Sequence, residues 1–229
     1  QPTLVKQIIE KGGNPNQLDK RNFSILEYTE KNSDTITNLA NSNIDINLTD
    51  SKGNNILILA VATGNSKAVS AVLNKNPNLT LANKNGDTAI DIAVNSKKSD
   101  ELIPLLLEKN LDPNAKVKAH KNIVPLAYWA IKANKLKVIE KLIEKNVALE
   151  SDTYSIVDYL LSKNNKELLL KAVEKDFDVE KVREVIGNKT ISDWAVETNN
   201  NEILNAIMKK STNLTKSING KSPLELLVD

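Results

Sequence analysis

The sequence has no cysteine, one histidine and one methionine, and only 3% of its 229 residues are aromatic. Without cysteine there is no disulfide, no thiolate metal ligand and no cysteine nucleophile, and the redox compartment stays open. A lone His120 removes most zinc sites and any triad that needs a second histidine. An excess of charge of one sign is also missing. Lys+Arg of 31 against Asp+Glu of 29 leaves a formal +2, too balanced to recruit nucleic acid or a membrane surface by bulk electrostatics. No apolar run approaches the roughly 18–20 residues of a membrane span. No Gly-rich phosphate loop, nucleophile elbow or metal-ligand spacing occurs, so no cofactor and no metal are expected. The chain opens at Gln1 without a start methionine, which leaves open whether a leader was removed upstream.

What is present is an ordinary soluble composition, 40% hydrophobic and 26% charged. The length suits one or two domains, or several repeats sharing a continuous core. Abundant Asn, Lys and Ile suggest a codon bias toward A and T, a remark about the source and not the fold.

Self-similarity decides between those options. Turn residues at Asn22, Gly53, Gly86, Asn122, Thr153, Gly187 and Gly220 are spaced by 31, 33, 36, 31, 34 and 33, a mean of 33. After each comes a helix opening such as Ser24-Ile-Leu26, Thr88-Ala-Ile90 or Ser222-Pro-Leu224, where a hydroxyl caps and Pro fits the first turn. A second helix follows with apolar residues at i, i+3 and i+4, for example Leu102, Leu105, Leu106 and Ile139, Leu142, Ile143. These second helices close on Gly12, Asn43, Asn76, Asn110, Asn146, Asp176 and Ser211, and Gly or Asn there tolerates left-handed backbone. A lysine precedes six of the seven, facing the negative end of the helix dipole. Pro125 and Pro223 open first helices, whereas Pro104 is expected to loosen a second one.

Gly86-Asp-Thr-Ala-Ile-Asp-Ile-Ala93 and Val124-Pro-Leu-Ala127 resemble the Gly-x-Thr-Pro-Leu-His-x-Ala signature of ankyrin repeats. Gly13-Asn-Pro-Asn16, Asn43-Ile-Asp-Ile-Asn47 and Asn110-Leu-Asp-Pro-Asn114 resemble that family's Gly-Ala-Asp-x-Asn closing loop. The resemblance implies an all-α helix-turn-helix solenoid with short β-turn fingers, stabilised by stacking of neighbours. It spans residues 1–229 as a single array: a half unit 1–16, units starting near 19, 50, 83, 119, 151 and 184, and a terminal half unit 217–229. The unit from Asn22 is about two residues short. The signature histidine is absent throughout, its positions holding Glu27, Ile58, Asp91, Ala127, Asp158, Ser192 and Glu225.

The acidic members of that set recur in alternate units. Helices pack ~8–10 Å apart, which places alternate units at about twice that distance, whereas paired-carboxylate hydrolysis needs ~5–9.5 Å. The expected role is accepting hydrogen bonds from the adjacent turn. His120, beside Lys118 and Lys121, reads as an exposed turn residue. Trp129 and Trp194 stand where other units place small or aliphatic core residues and are expected in the core. Tyr128 and Tyr159 are expected to be half-buried.

By the resemblance, the turn tips and the residue after each turn face a concave groove. Early tips are polar and net basic (Lys20, Arg21, Lys52, Lys84). Later ones are apolar: Ile123, Tyr154, Val185, Ile186 and Ile218, with Ile131 and Val196 after first helices. Two readings stay open, a binding surface or packing of Val182, Val185 and Ile186 within an enlarged turn. On the first, Lys121, Lys163 and Arg183 form the rim for another protein with apolar anchors and some acidic charge. The expected function is non-enzymatic partner recognition by a monomer. The alternative is a targeting or spacer region of a larger effector, toxin or enzyme. Anion or nucleic-acid binding through turn lysines is a third, weaker class. The resemblance implies a cytoplasmic default, or a secreted or periplasmic one if a leader was removed.

Overall fold

A computed structural model describes residues 2–29, 31–175 and 177–210. The expected helix ends at Asp176 and Ser211 and the terminal half unit with Ile218 lie outside these residues. The described chain divides into two compact units between Trp129 and Ala130. The first holds α1 (Pro2–Glu10), a 3-10 turn (Ile25–Tyr28), α2 (Ser33–Ala40), α3 (Ile56–Thr63), α4 (Ser66–Leu73), α5 (Ala89–Val94) and α6 (Ser99–Glu108). It ends with the antiparallel hairpin β1 (Lys116–Ala119) and β2 (Asn122–Pro125) and the start of α7 (Leu126–Lys132). The second holds the rest of α7, α8 (Leu136–Glu144), α9 (Ile156–Ser162), α10 (Lys166–Val173), a 3-10 turn (Glu184–Ile186), α11 (Ile191–Glu197) and α12 (Asn201–Lys210).

Helices of 6 to 10 residues are too short to persist alone in water, so packing must hold them. In the first unit α3 stacks on α5, while α4 stacks on both α2 and α6, giving a layer of first helices against a layer of second helices. Accordingly α3 is apolar all round, with Ile56 to Val61 all 6% exposed or less. In the second unit α10 packs on α8 and α12, and α9 and α11 pair with α10 and α12. The short repeat shows where its two residues are missing: its first helix is only the 3-10 turn. Ser24 does not cap that turn; its hydroxyl donates to the carbonyl of Thr49 at 2.7 Å.

Four of the six described helix-pair junctions follow one local rule, the exceptions being those with Lys98 and Lys135 at the cap. A residue in left-handed backbone is followed by an asparagine that caps the next helix. Lys31-Asn32, Gly64-Asn65, Asn164-Asn165 and Asn199-Asn200 all do this, with φ between 50° and 70° at the first residue. The second residue's carbonyl oxygen Oδ1 accepts from Thr35 N, Ala68 N, Leu168 N and Ile203 N respectively. The closing positions Gly12, Asn76, Asn110 and Asn146 are left-handed as expected, whereas Asn43 is not. Asparagine abundance therefore has a structural cause at these junctions, beyond codon usage.

Three local expectations change. Pro104 has no N–H to give the carbonyl four residues back, yet α6 runs unbroken through it. Pro125 ends β2 instead of opening α7, because the finger there extends into a paired hairpin. Trp129 is buried as expected, but Trp194, at the same repeat position, is only half-buried.

Candidate functional site

The fingers between helix pairs are built from side chain to backbone. Asp19 Oδ1 accepts from Arg21 N and Phe23 N, Asp50 Oδ1 from Lys52 N and Asn54 N, and Asn83 Oδ1 from Asn85 N and Asp87 N, all at 2.8–3.0 Å. Adjacent fingers then join: Lys84 N donates to Lys52 O at 3.0 Å and Asn83 Nδ2 to Asn54 Oδ1 at 2.9 Å.

The carboxylates at the missing histidine positions reach the next finger. Glu27 accepts from Ser51 N (2.8 Å) and Ser51 Oγ (2.9 Å), and the bond from Ser51 N holds its pKa below the ordinary value. Asp91 accepts from Lys118 N at 2.6 Å and Asp158 from Arg183 Nη1 at 2.6 Å. These contacts match the role expected of them. Glu225 lies outside the described residues.

The finger at 181–189 inverts the usual polarity. Val182 is 60% and Val185 40% exposed, while Arg183 between them is 2% exposed. The bridge between Arg183 and Lys189 turns the guanidinium inward, where Nη1 meets Glu150 Oε1 at 2.5 Å and Asp158 Oδ1 at 2.6 Å. Nη2 donates to Asp178 O at 3.3 Å, and the group lies 5.8 Å from the centre of the Phe177 ring. Its Nε is buried with no partner among the described residues. Arg183, expected on the rim, is therefore a buried pin. Glu150, at the equivalent bridge position one finger earlier, supplies the charge that allows its burial.

The other site residues scatter. Lys121 and Ile123 lie on the hairpin of the first unit, exposed, with Ile123 at 67%. In the second unit Tyr154 is half-buried, its hydroxyl donating to Ala148 O at 3.0 Å and its pKa raised by burial. Lys163 is exposed at the end of α9, its ammonium 5.8 Å over the Tyr159 ring. Burial likewise raises the Tyr159 pKa, and both Tyr128 and Tyr159 are half-buried as expected. Ile131 and Val196 are half-buried, and Ile186 lies half-buried in the 3-10 turn beside Val185. Arg183, Val185 and Ile186 share one finger, and Lys121 and Ile123 share another. Val182, the most exposed of that finger, was readable in the sequence only as the neighbour that must point away if Arg183 points in.

Among the described residues no group of three His, Asp or Glu could hold a metal ion. No helix there is long and apolar enough to cross a membrane.

Residues 23–117 match the family model for ankyrin repeats in three copies. No curated protein matches the sequence. Among solved structures, the ankyrin repeat domain of Bcl-3, a member of the IkappaB family, aligns at 19% identity with a TM-score of 0.50, over 83% of this chain and 86% of that one. A chain of the complex between a predatory endopeptidase from Bdellovibrio bacteriovorus and an immunity protein aligns at 24% identity and TM-score 0.48, over 85% of this chain and 100% of that one. The human ASB11 ankyrin repeat domain aligns at 18% identity and TM-score 0.43, over 89% and 91%. Residues 23–117 of this chain are ankyrin repeats, and its fold is the ankyrin-type helix-turn-helix fold with short fingers.

Proposed function

We propose that the chain recognises a protein partner without acting on it chemically, using the apolar fingers of its second half within the groove that ankyrin repeats line. Ankyrin repeats are in general interaction modules, and solenoids of this kind offer extended binding surfaces. The observation that carries the reading is the inverted finger: a buried arginine holds Val182 and Val185 in water. Single exposed apolar residues are common, but a charge turned inward to expose two valines has no stabilising purpose of its own. Lys163, in the same unit as the finger, stays exposed and can serve acidic groups on a partner, whereas Arg183 cannot. Binding without catalysis fits the carboxylates, since Glu27, Asp91 and Asp158 are each engaged by a neighbouring finger.

The test is affinity capture from the native source with the wild type and with Val182→Asp plus Val185→Asp, folding being checked by circular dichroism. Loss of a specific captured protein with the folded variant is the expected result. Equal capture by both sinks the reading.

A further inference from the structure

In the first unit a cleft of about 660 Å³ is lined by the C-terminal ends of α3 and α5 and by the hairpin tip, within the size range of ligand sites. Two observations single it out. Ten non-glycine residues among those described have left-handed backbone, and eight of them are asparagine. The two exceptions are Lys31 (φ 55°) and His120 (φ 56°), and both line this one cleft. At other such corners asparagine satisfies the backbone at low cost, and histidine too is enriched in this region; a lysine there carries strain that must be maintained for another reason.

The second observation is which polar groups are already engaged. Asp91 accepts from Thr88 N, Thr88 Oγ1 and Lys118 N at 2.6–2.8 Å. Asp87 pairs with Lys118 Nζ at 3.3 Å, and that ammonium also donates to Gly86 O. Asn95 donates to the carbonyls of Asp91 and Lys118 and accepts from His120 N. The Lys31 ammonium and the His120 imidazole, both on exposed residues, have no partner among the described residues. Exposed Ala62 and half-buried Ile92 supply an apolar part of the same lining.

A free ammonium and a free imidazole beside apolar side chains suit a ligand that carries carboxylates beside an aliphatic side chain. We propose that this cleft binds a short, extended acidic peptide segment, with carboxylates on the Lys31 ammonium and the His120 imidazole and an aliphatic side chain against Ala62 and Ile92. A peptide is favoured over a nucleic acid strand because no aromatic side chain lines the cleft to stack a base. This site is separate from the apolar finger and stands without it.

The test is fluorescence anisotropy of the full chain at low salt, with a labelled octapeptide of alternating glutamate and leucine as probe. The variant is Lys31→Asn with His120→Asn, since asparagine suits both corners. The expected results are saturable binding by the wild type and affinity about tenfold weaker for the variant, one exposed charge contact and one hydrogen bond being worth roughly 1.4 kcal/mol together. A glutamine-for-glutamate probe should lose affinity to a similar extent. The variant's urea midpoint should equal or exceed that of the wild type. Val182→Asp plus Val185→Asp should bind the probe like the wild type, which separates this result from the fate of the finger. The proposal is overturned by absent binding, by equal binding of the variant or of the glutamine probe, or by a lowered urea midpoint. Tighter binding of an eight-thymidine strand through the same two residues would assign the cleft to nucleic acid instead.

Discussion

Arg183 and Glu150 occupy the same bridge position on successive fingers of the second unit, and their side chains meet at 2.5 Å, the arginine side chain being 1% exposed. Removing the cation strands two carboxylates on one spot. Breaking a fully buried pair costs about 3–5 kcal/mol, but Asp158 is 43% and Glu150 20% exposed and water can reach both. Arg183→Leu should therefore lower stability by about 1–3 kcal/mol, read as a shift in urea midpoint. Adding Glu150→Gln and Asp158→Asn should recover most of the loss. No recovery would mean that the arginine acts by packing alone.

At the Asn164-Asn165 junction the two asparagines do different jobs, and substitutions should separate them. Asn165→Ala removes the cap from Leu168 N and should cost about 1 kcal/mol. Asn164→Ala should cost a similar amount, about 1 kcal/mol, through the left-handed backbone alone, while Asn164→Gly should cost nothing measurable. Chemical denaturation of the three variants distinguishes these outcomes.

Asp19 should report the first finger's integrity by its titration. Its pKa falls from 3.8 to about 2, first because the Tyr28 hydroxyl donates to it at 2.6 Å and next because Phe23 N does. With the folded value below the unfolded one, its stabilising contribution is present above 3.8 and is lost as pH falls through about 2. In Tyr28→Phe the carboxyl carbon should titrate by NMR closer to the ordinary range. An unchanged midpoint would remove Tyr28 as the main cause.

Two glycines with the same backbone should differ in tolerance. Gly12 and Gly53 have φ of 75° and 77°, but a Cβ at Gly12 meets open space and one at Gly53 comes within 3.0 Å of Lys84 N. Gly12→Ala should cost about 1 kcal/mol from conformation. Gly53→Ala should cost clearly more, because the finger contact between Lys84 N and Lys52 O must also give. Equal melting temperatures for the two variants would deny the close approach.

Periodicity made the repeat register, the pairing of helices and the role of Glu27, Asp91 and Asp158 legible, because each depends on residues at fixed offsets within or between units. The inward turn of Arg183 was not legible. It depends on Glu150, 33 residues earlier, offering a charge at the matching bridge, and a surface arginine reads the same in the sequence. The cleft was hidden for a similar reason: Lys31 and His120 are 89 positions apart and meet only through stacking. The asparagine junctions were visible as doublets at 164–165 and 199–200, but composition was the wrong scale on which to look for them.

The forward reach of the carboxylates gives the repeats a direction. Glu27, Asp91 and Asp158 each accept a bond from the finger that follows. A cut just before one of those fingers leaves an acceptor without that donor, whereas a cut just after the finger keeps the two together. Fragments of this chain should therefore be better behaved when their last element is a finger than when it is a helix pair.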